Sequence, residues 1–495
     1  MNHYQELTRR FDEIGKLTAA ASILSWDSKT MMPATGADSR GDQLACLSRV
    51  LHAQVTDSAV GEHLAGASGE HELLNDWQRA NLREMRRRWA HAKATPADLD
   101  ARFAKARIVA AAAWLDAKGR DDFKAFVPHL GTILDLLREI ARAKGEHLGL
   151  SAYDALLDVH DPGARSAELD SIFADLEAFL PGFARSVRDA QVATPFIPLP
   201  TVDIACQTRL IRRILTRIGW PEAGRIDHTE HPFAMSGVPQ DPRITTHYDE
   251  DSPHFAVLAA LHEVGHGIYN LNLPKDDSKY QPVSCARGAS THEAQALGVE
   301  MQACRSNEFL SWFFPVLREA WDVEGPAWTD ENLRVIYRRV EPSLIRVNAD
   351  EVTYSLHVIL RYRLERALLA DDLTVAELPG AWDDGMASLL GVRPSGVADG
   401  CLQDIHWSMG LIGYFPTYSL GALKAAQLFD AAMRSEPRLL AELGHGNFAP
   451  WLGWLAENVH RHASFYEGNA LLERAAGAPL DVEVFKTHLA ARYLD

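Results

Sequence analysis

A mainly α fold is predicted by three features of the sequence. Apolar side chains recur every three or four residues over long stretches, which is the spacing of the buried face of an amphipathic helix. Prolines and glycines fall between these stretches, where they interrupt helices. The region from Gly224 to Asp251 lacks the helical period, and there β-branched residues alternate with polar ones. We therefore expect a large helical body with a small β element.

The helical period defines four clear stretches and four breaks between them. The stretches are 4–14, 130–143, 210–218 and 352–369, and the breaks are expected near 194–200, 219–224, 379–380 and 394–400. The alternation is sharpest over Arg243–Tyr248, where short strands or a hairpin are expected. No linker or internal repeat marks a domain boundary, so the chain is expected to form a single domain over 1–495.

The composition is that of a globular protein, since 47% of the 495 residues are hydrophobic and 24% are charged. The formal net charge of −17 argues against nucleic-acid binding, which needs clustered basic side chains. No apolar run reaches the roughly 20 residues of a membrane helix, and the first residues lack a secretion-signal pattern. Five scattered cysteines without a CxxC pair are typical of reduced thiols. We therefore expect a cytoplasmic protein that does not bind membranes.

The segment His262-Glu263-Val264-Gly265-His266 has the pattern of a metal-binding helix. Ser252-Pro253 predicts the start of that helix, because proline is favoured at the first helical position. Histidines four residues apart project from one helix face and can bind one metal ion. Glu263 is rotated by about 100° from His262 and can take a proton from metal-bound water. The alternative is a pair of histidines packed in the core, since such short motifs also arise by chance.

A hydrolytic zinc site needs a third protein ligand and keeps one position open. Two candidates, Glu293 and Glu300, lie seven residues apart on one face of the next predicted helix. Glu293 is the better candidate because it stands among polar neighbours. Glu300 is expected to lie behind the ligands or to face solvent.

Short blocks in a fixed order give the chain a strong resemblance to the carboxypeptidase Taq family of metallocarboxypeptidases. Each block alone is weak, but together with the metal motif they cover nearly the whole length. The blocks are Leu24-Ser25-Trp26-Asp27 with Met32-Pro33, His231-Pro232-Phe233, Asp241-Pro242-Arg243-Ile244-Thr245, His292-Glu293-Ala294-Gln295, Ile345-Arg346-Val347-Asn348-Ala349-Asp350, Gly400-Cys401-Leu402-Gln403-Asp404-Ile405-His406-Trp407 and Gly413-Tyr414-Phe415-Pro416-Thr417-Tyr418.

This resemblance implies an almost all-α body divided by a long substrate groove, with a small sheet beside the metal helix. It implies a homodimer that removes single residues from peptides with a free C-terminus, with broad specificity, using one zinc ion or, alternatively, cobalt. Within the single domain, a helical part over about 1–200 would precede a catalytic part over about 201–495.

The resemblance also assigns roles to individual residues. His262, His266 and Glu293 match the metal ligands, and Glu263 matches the general base. Other matches are Arg346, which would bind the terminal carboxylate, Tyr418 and His406, which would face the tetrahedral intermediate, and the groove residues Tyr414, Gln403, His231 and Arg243.

Several alternatives stay open at this point. Arg346 could instead form a structural ion pair with Asp350, four residues away. The protein could be an endo-acting oligopeptidase or a dipeptidyl carboxypeptidase of related fold, or a catalytically silent peptide-binding scaffold. The loop over 273–282 departs from the family pattern, and it is expected to lie near the side chain of the substrate's last residue.

Overall fold

The computed structural model describes residues 2–192, 194–235 and 237–494, and helices make up 70% of it. The helices before the sheet are α1 (His3–Thr30), α2 (Ala37–Thr56), α3 (Ser58–Gly69), α4 (Asp76–Lys93), α5 (Ala97–Gly119), α6 (Phe123–Leu148), α7 (Ala152–His160), α8 (Ser166–Val192) and α9 (Ile204–Ile218). After the sheet come α10 (Pro253–Asn272), α11 (Gly288–Leu297), α12 (Asn307–Trp321), α13 (Asp330–Tyr337), α14 (Tyr354–Ala370), α15 (Leu378–Leu390), α16 (Pro416–Ser435), α17 (Leu439–Leu443), α18 (Ala449–Asn458), α19 (Gly468–Ala476) and α20 (Val482–Tyr493). The predicted mainly α class is confirmed.

The helices bury the stripes that the sequence predicted. In α1 the side chains of Tyr4, Leu7, Phe11 and Ile14 are all buried, and Asn2 caps the first turn. Three of the four expected breaks separate elements, but 379–380 does not. Pro379 instead lies in the first turn of α15, where a missing N–H costs nothing because that group has no helical partner.

The β element consists of two short parallel strands, β1 (Arg225–His228) and β2 (Arg243–Thr246). The expected short strands are present, but β1 and β2 are not the two arms of a hairpin, because they run parallel. The connection returns along the other edge of β2, where Ala234 forms an antiparallel bridge with Ile244. β2 also packs on α10, since the Thr246 hydroxyl donates to the carbonyl of Ala256 at 3.1 Å.

Close packing holds α10 between its neighbours. A Cβ added to Gly265 would lie 2.5 Å from the carbonyl oxygen of Gln295 on α11, and one on Gly267 would collide with Trp220. On the far side of α11, a Cβ on Gly421 of α16 would lie 2.5 Å from the Glu293 side chain. Gly265 and Gly421 therefore let α10, α11 and α16 approach closely, and Gly267 makes room for Trp220.

The apolar interior is divided between a main cluster, drawn from residues 99–489, and a separate cluster in α1, α3, α4 and the turn before α4. The loop over 273–282 ends against the N-terminal helices, because Gln281 donates to the Thr8 carbonyl and accepts from Asn81. Among the described residues, no helix is long and apolar enough to cross a membrane.

Candidate metal centre and carboxylate pocket

The metal centre lies where α10 faces α11. The imidazoles of His262 and His266 have centroids 4.9 Å apart. Both face one carboxylate, with 3.9 Å between His262 Nε2 and Glu293 Oε1 and 3.6 Å between His266 Nε2 and Glu293 Oε2. Each of the three side chains places one ligand atom within 4.8 Å of the other two. The candidate ligands thus meet as expected.

The outer nitrogen of each imidazole is held by a fixed acceptor. His266 Nδ1 donates to the carbonyl oxygen of His292 at 2.9 Å. His262 Nδ1 lies 3.1 Å from Glu300 Oε2, and Glu300 is held in turn by Arg305 at 2.9 Å. With Nδ1 protonated on both rings, each Nε2 keeps a lone pair for a metal. Glu300 therefore lies behind the ligands, on a short π-helical segment over Gly298–Ala303.

The charges of this centre suit a divalent cation. Glu263 Oε2 and Glu293 Oε1 are buried, and neither has a hydrogen-bond partner among the described residues. Burial, reinforced by Glu293 and Glu300, raises the pKa of Glu263 to about 8. Burial would lower the pKa of His262, but the neighbouring carboxylates, with Glu293 first, raise it to about 10. The field that holds this proton also attracts a metal ion, which competes for the same nitrogen.

A second group of charges, which we call the arginine pocket, consists of Arg346, Arg361 and Asp404. Arg346 donates from Nε and Nη2 to Asp404 Oδ1 at 3.2 and 3.0 Å, and Arg361 Nε donates to Asp404 Oδ2 at 2.6 Å. Arg346 is only 3% exposed, and its guanidinium lies over the Tyr418 ring at 4.5 Å. Within the part of the chain that the structure describes, nothing accepts a hydrogen bond from Arg346 Nη1.

The alternative prediction, an ion pair between Arg346 and Asp350, is wrong. The Asp350 carboxylate accepts backbone N–H groups of Val352 and Thr353 at 2.9 Å and so caps the start of the next helical turn. Arg346 begins a 3₁₀ turn rather than an α-helix, so the four-residue spacing does not bring the two side chains together.

Tyr418 and His406, the pair that the resemblance places at the tetrahedral intermediate, lie in contact with each other. Their Oη and Nε2 atoms are 3.1 Å apart. Burial lowers the pKa of His406 to about 3, so its imidazole is neutral at pH 7. Burial raises the pKa of the Tyr418 hydroxyl, which therefore keeps its proton. A neutral imidazole and a protonated phenol are both able to donate a hydrogen bond.

Tyr414 connects the two groups of charges. Burial raises its pKa to about 12, and the charges of Glu293, Arg346 and Glu263 all act on its hydroxyl. Its ring also packs against the Tyr418 ring, with centroids 5.4 Å apart. The metal centre and the arginine pocket are therefore adjacent, with Tyr414 facing both.

The remaining candidate residues have different surroundings. The Gln403 side chain accepts from the backbone N–H of Arg346 and from Arg361, and it donates to three carbonyls. Burial lowers the pKa of His231, and the positive charge of Arg346 lowers it further. His231 is therefore within electrostatic reach of the arginine pocket. Arg243 pairs with Asp241 at 2.9 Å and lies over Trp26. Gln403 thus supports the pocket, whereas Arg243 contacts Asp241 just before β2 and Trp26 on α1.

Arg361 and Asp404 were not assigned roles from the sequence. Arg361 is fully buried in α14, at helical spacing from Tyr354, Val358 and Leu368. A charged side chain on such an apolar stripe needs a fixed partner, which is a signal that could have been noticed. The identity of that partner, 43 residues away, could not.

Comparisons with known proteins agree with this geometry. A family model described as carboxypeptidase Taq (M32) metallopeptidase matches residues 6–493. Thermostable carboxypeptidase 1 of Thermus thermophilus is 36% identical over 99% of this chain and 98% of its own. Carboxypeptidase 1 of Bacillus subtilis is 31% identical over 97% of this chain and 96% of its own.

Solved structures give the same result. Metallocarboxypeptidase 1 of Trypanosoma cruzi superposes with a TM-score of 0.96 at 35% identity, over 100% of this chain and 99% of that one. The M32 carboxypeptidase of Deinococcus radiodurans gives 0.91 at 31% identity, over 99% and 98%. The alternatives of an endo-acting peptidase or a silent scaffold are not favoured. The chain belongs to the carboxypeptidase Taq (M32) metallopeptidase family and is a metallocarboxypeptidase.

Proposed function

We propose that this enzyme removes single residues from the free C-termini of peptides, with broad specificity, and that the metal centre and the arginine pocket divide this task. One observation supports the proposal above others: a three-ligand metal centre stands beside a buried guanidinium whose Nη1 atom has no hydrogen-bond acceptor among the described residues. His262, His266 and Glu293 hold the divalent metal. We infer Zn²⁺ from the two imidazoles and one carboxylate, although Co²⁺ accepts the same ligands.

The arginine pocket selects the end of the substrate. Two guanidinium groups face only one carboxylate there, so the pocket carries an excess positive charge. The terminal carboxylate of a peptide supplies the missing negative charge and can bind Arg346 Nη1. Asp404 and Arg361 hold the guanidinium in place, and Gln403 fixes the backbone beside it. Tyr414 and His231 line this region, and we assign Arg243 to the substrate groove from the family resemblance alone.

Hydrolysis takes place on the side of the metal centre. When bound, the metal lowers the pKa of a coordinated water and polarises the scissile carbonyl. Glu263 takes the proton from that water and later passes it to the leaving amine. The pKa of Glu263, raised by burial and by Glu293 and Glu300, falls when a metal ion bound beside it offsets that repulsion, so that its carboxylate can accept the proton. Its Oε2 atom makes no competing hydrogen bond in the described structure.

Tyr418 stabilises the negative charge that develops on the carbonyl oxygen. Its hydroxyl carries a proton at all physiological pH values, since burial raises its pKa. His406 holds the hydroxyl in position at 3.1 Å and can share the donation. The guanidinium of Arg346 lies over the Tyr418 ring and so fixes the ring relative to the Asp404 carboxylate that Arg346 binds.

We also propose a cytoplasmic homodimer. All five cysteines are free, and two of them, Cys304 and Cys401, are buried, as expected in a reducing compartment. The dimer follows from the family resemblance and is checked by light scattering of the purified protein.

The test compares one peptide with a free C-terminus and the same peptide amidated. We expect stepwise release of free amino acids from the first peptide and almost none from the second, measured by mass spectrometry. Chelation of the metal should abolish release, and Zn²⁺ or Co²⁺ should restore it. Cleavage of the amidated peptide at an internal bond would instead indicate an endo-acting enzyme, and release of dipeptides would indicate a dipeptidyl carboxypeptidase.

A further inference from the structure

We propose that His228, Glu230 and His247 form a second divalent-metal site, specific for a borderline ion such as Zn²⁺, which shares no ligand with the metal centre. The three side chains each place one ligand atom within 4.8 Å of the other two. The same criterion is met by His262, His266 and Glu293. Two imidazoles and one carboxylate are the donor set that zinc prefers, whereas Mg²⁺ and Ca²⁺ prefer oxygen alone.

The parallel sheet brings these residues together. His228 is the last residue of β1 and pairs with Thr246, so His247 follows directly after its partner. The carboxyl ends of parallel strands meet at one edge of a sheet, and Glu230 follows two residues after β1. The two imidazole centroids are 5.4 Å apart, with an interplanar angle of 30°.

The backbone beneath the cluster is held firmly on both strands. The hydroxyls of Thr229 and Thr245 are hydrogen-bonded at 2.8 Å, and the Thr246 hydroxyl is bonded to α10. All three threonines are buried. The scaffold for His228 and His247 is therefore fixed, and only the side chains must adjust when a metal binds.

The hydrogen bond of His247 is of the kind that a metal-binding histidine makes with the ring nitrogen that does not bind the metal. His247 Nδ1 lies 3.3 Å from the carbonyl oxygen of Thr229, which can only accept. This nitrogen thus holds the proton and leaves the Nε2 lone pair free, as the carbonyl of His292 does for His266. Glu230 Oε2 lies 4.0 Å from the same Nδ1, so the exposed Glu230 side chain must turn toward Nε2 when a metal binds. His228 is less prepared, because its Nδ1 accepts a long bond of 3.4 Å from the Tyr248 backbone. A metal bound through either ring nitrogen of His228 breaks this bond, because Nδ1 then holds the metal or a proton.

The second site is more exposed to solvent than the metal centre, and this difference should lower its affinity for metal. The Glu230 side chain is 92% exposed and that of His247 is 28% exposed, so water can complete the coordination. We therefore expect weaker and readily reversible binding, which follows only after the metal centre is filled.

The test titrates Zn²⁺ into the enzyme whose metal centre already holds zinc, using calorimetry. We expect one further, weaker equivalent in the wild type and none in a His228→Ala/His247→Ala double variant. Glu230→Gln should keep the equivalent with lower affinity. Crystals grown with excess zinc should show an anomalous peak between the three side chains at the zinc edge.

A matched control uses the exposed pair His3 and His63, whose centroids are 5.3 Å apart. This pair lacks a carboxylate that would complete a three-ligand group in the described residues. The His3→Ala/His63→Ala variant should keep the second equivalent. The proposal is overturned if the wild type binds no further zinc, or if the His228→Ala/His247→Ala variant binds as much as the wild type.

Discussion

The metal centre and the arginine pocket are neighbours that arrange their charges in opposite ways. At the metal centre, among the described residues, only Glu300 of the three carboxylates Glu263, Glu293 and Glu300 forms an ion pair with a guanidinium, that of Arg305. In the arginine pocket two guanidinium groups share one carboxylate. Each side thus lacks the charge that its ligand carries, a divalent cation on one side and a peptide carboxylate on the other. The difference indicates that the two sides can be disabled separately.

The largest expected effect is on the metal side, from Glu263→Gln. The amide cannot take a proton from water, so kcat should fall by about 10²–10⁴-fold, which is the usual contribution of general acid–base catalysis. KM and metal content should change little, because Glu263 is not among the proposed ligands. Steady-state kinetics and metal analysis check this. The exposed Glu473→Gln is the control, and near-normal kcat in a metal-loaded Glu263→Gln protein would contradict the assigned base.

Removing one carboxylate from each side should affect stability differently. Asp404→Asn leaves two buried guanidinium groups unpaired, so it should destabilise the protein by about 3–5 kcal/mol with or without metal. Glu293→Gln should destabilise the metal-loaded protein more than the metal-free protein, because without the metal its carboxylate faces the His262 imidazole on one side and the repelling carboxylate of Glu300 on the other. Thermal unfolding of both variants, with zinc and after chelation, measures this. Equal metal dependence for the two variants would show that their charge environments do not differ as described.

A milder change on the pocket side is Arg346→Lys. Lysine keeps the positive charge but loses the planar fork that binds Asp404 and stacks on Tyr418. We expect KM for free-acid peptides to rise by about 10–100-fold, with a smaller effect on kcat and a weaker preference over amidated peptides. Arg339→Lys, a half-exposed arginine paired with Glu341, is the matched control. An unchanged preference for the free acid would remove Arg346 from substrate binding.

The same contrast explains what the sequence could predict. His262 and His266 lie four residues apart on one helix, so local helical geometry alone predicts that both can bind one metal ion, and five residues were enough for that prediction. Glu293 and Glu300 share one helix face, and spacing alone could not separate them. The structure does so because Glu293 faces the inner nitrogens of both imidazoles, whereas Glu300 meets only the outer nitrogen of His262.

The arginine pocket depends on contacts between distant segments. Asp404 lies 58 residues from Arg346 in the chain, so no local period links them. The predicted ion pair between Arg346 and Asp350 is wrong because it assumed an α-helix, whereas the chain forms a 3₁₀ turn there. Parallel pairing of β1 and β2 was missed for a similar reason, since the antiparallel bridge at Ala234 is not visible in an alternation pattern.

The smallest expected effect concerns Glu365, which holds the segment that carries His406 and Tyr414. This buried carboxyl on α14 accepts from the Tyr153 hydroxyl at 2.5 Å and from the Gly413 backbone at 3.1 Å. Burial raises its pKa from 4.5 to about 8, in spite of these donors. Between these two values the native state holds a proton that the unfolded chain has released. Stability from this group is therefore complete below pH 4.5 and is lost as the pH rises through 8, at about 1.4 kcal/mol per pH unit.

Glu365→Gln keeps an uncharged group of the same shape and removes this titration. Relative to the wild type, the variant should become more stable as the pH rises from 5.5 to 8.5, measured as the difference in thermal unfolding midpoint at fixed zinc concentration. Because the metal centre is the same in both proteins, its own pH dependence cancels in the difference. A constant difference across this range would mean that Glu365 is already ionised at low pH.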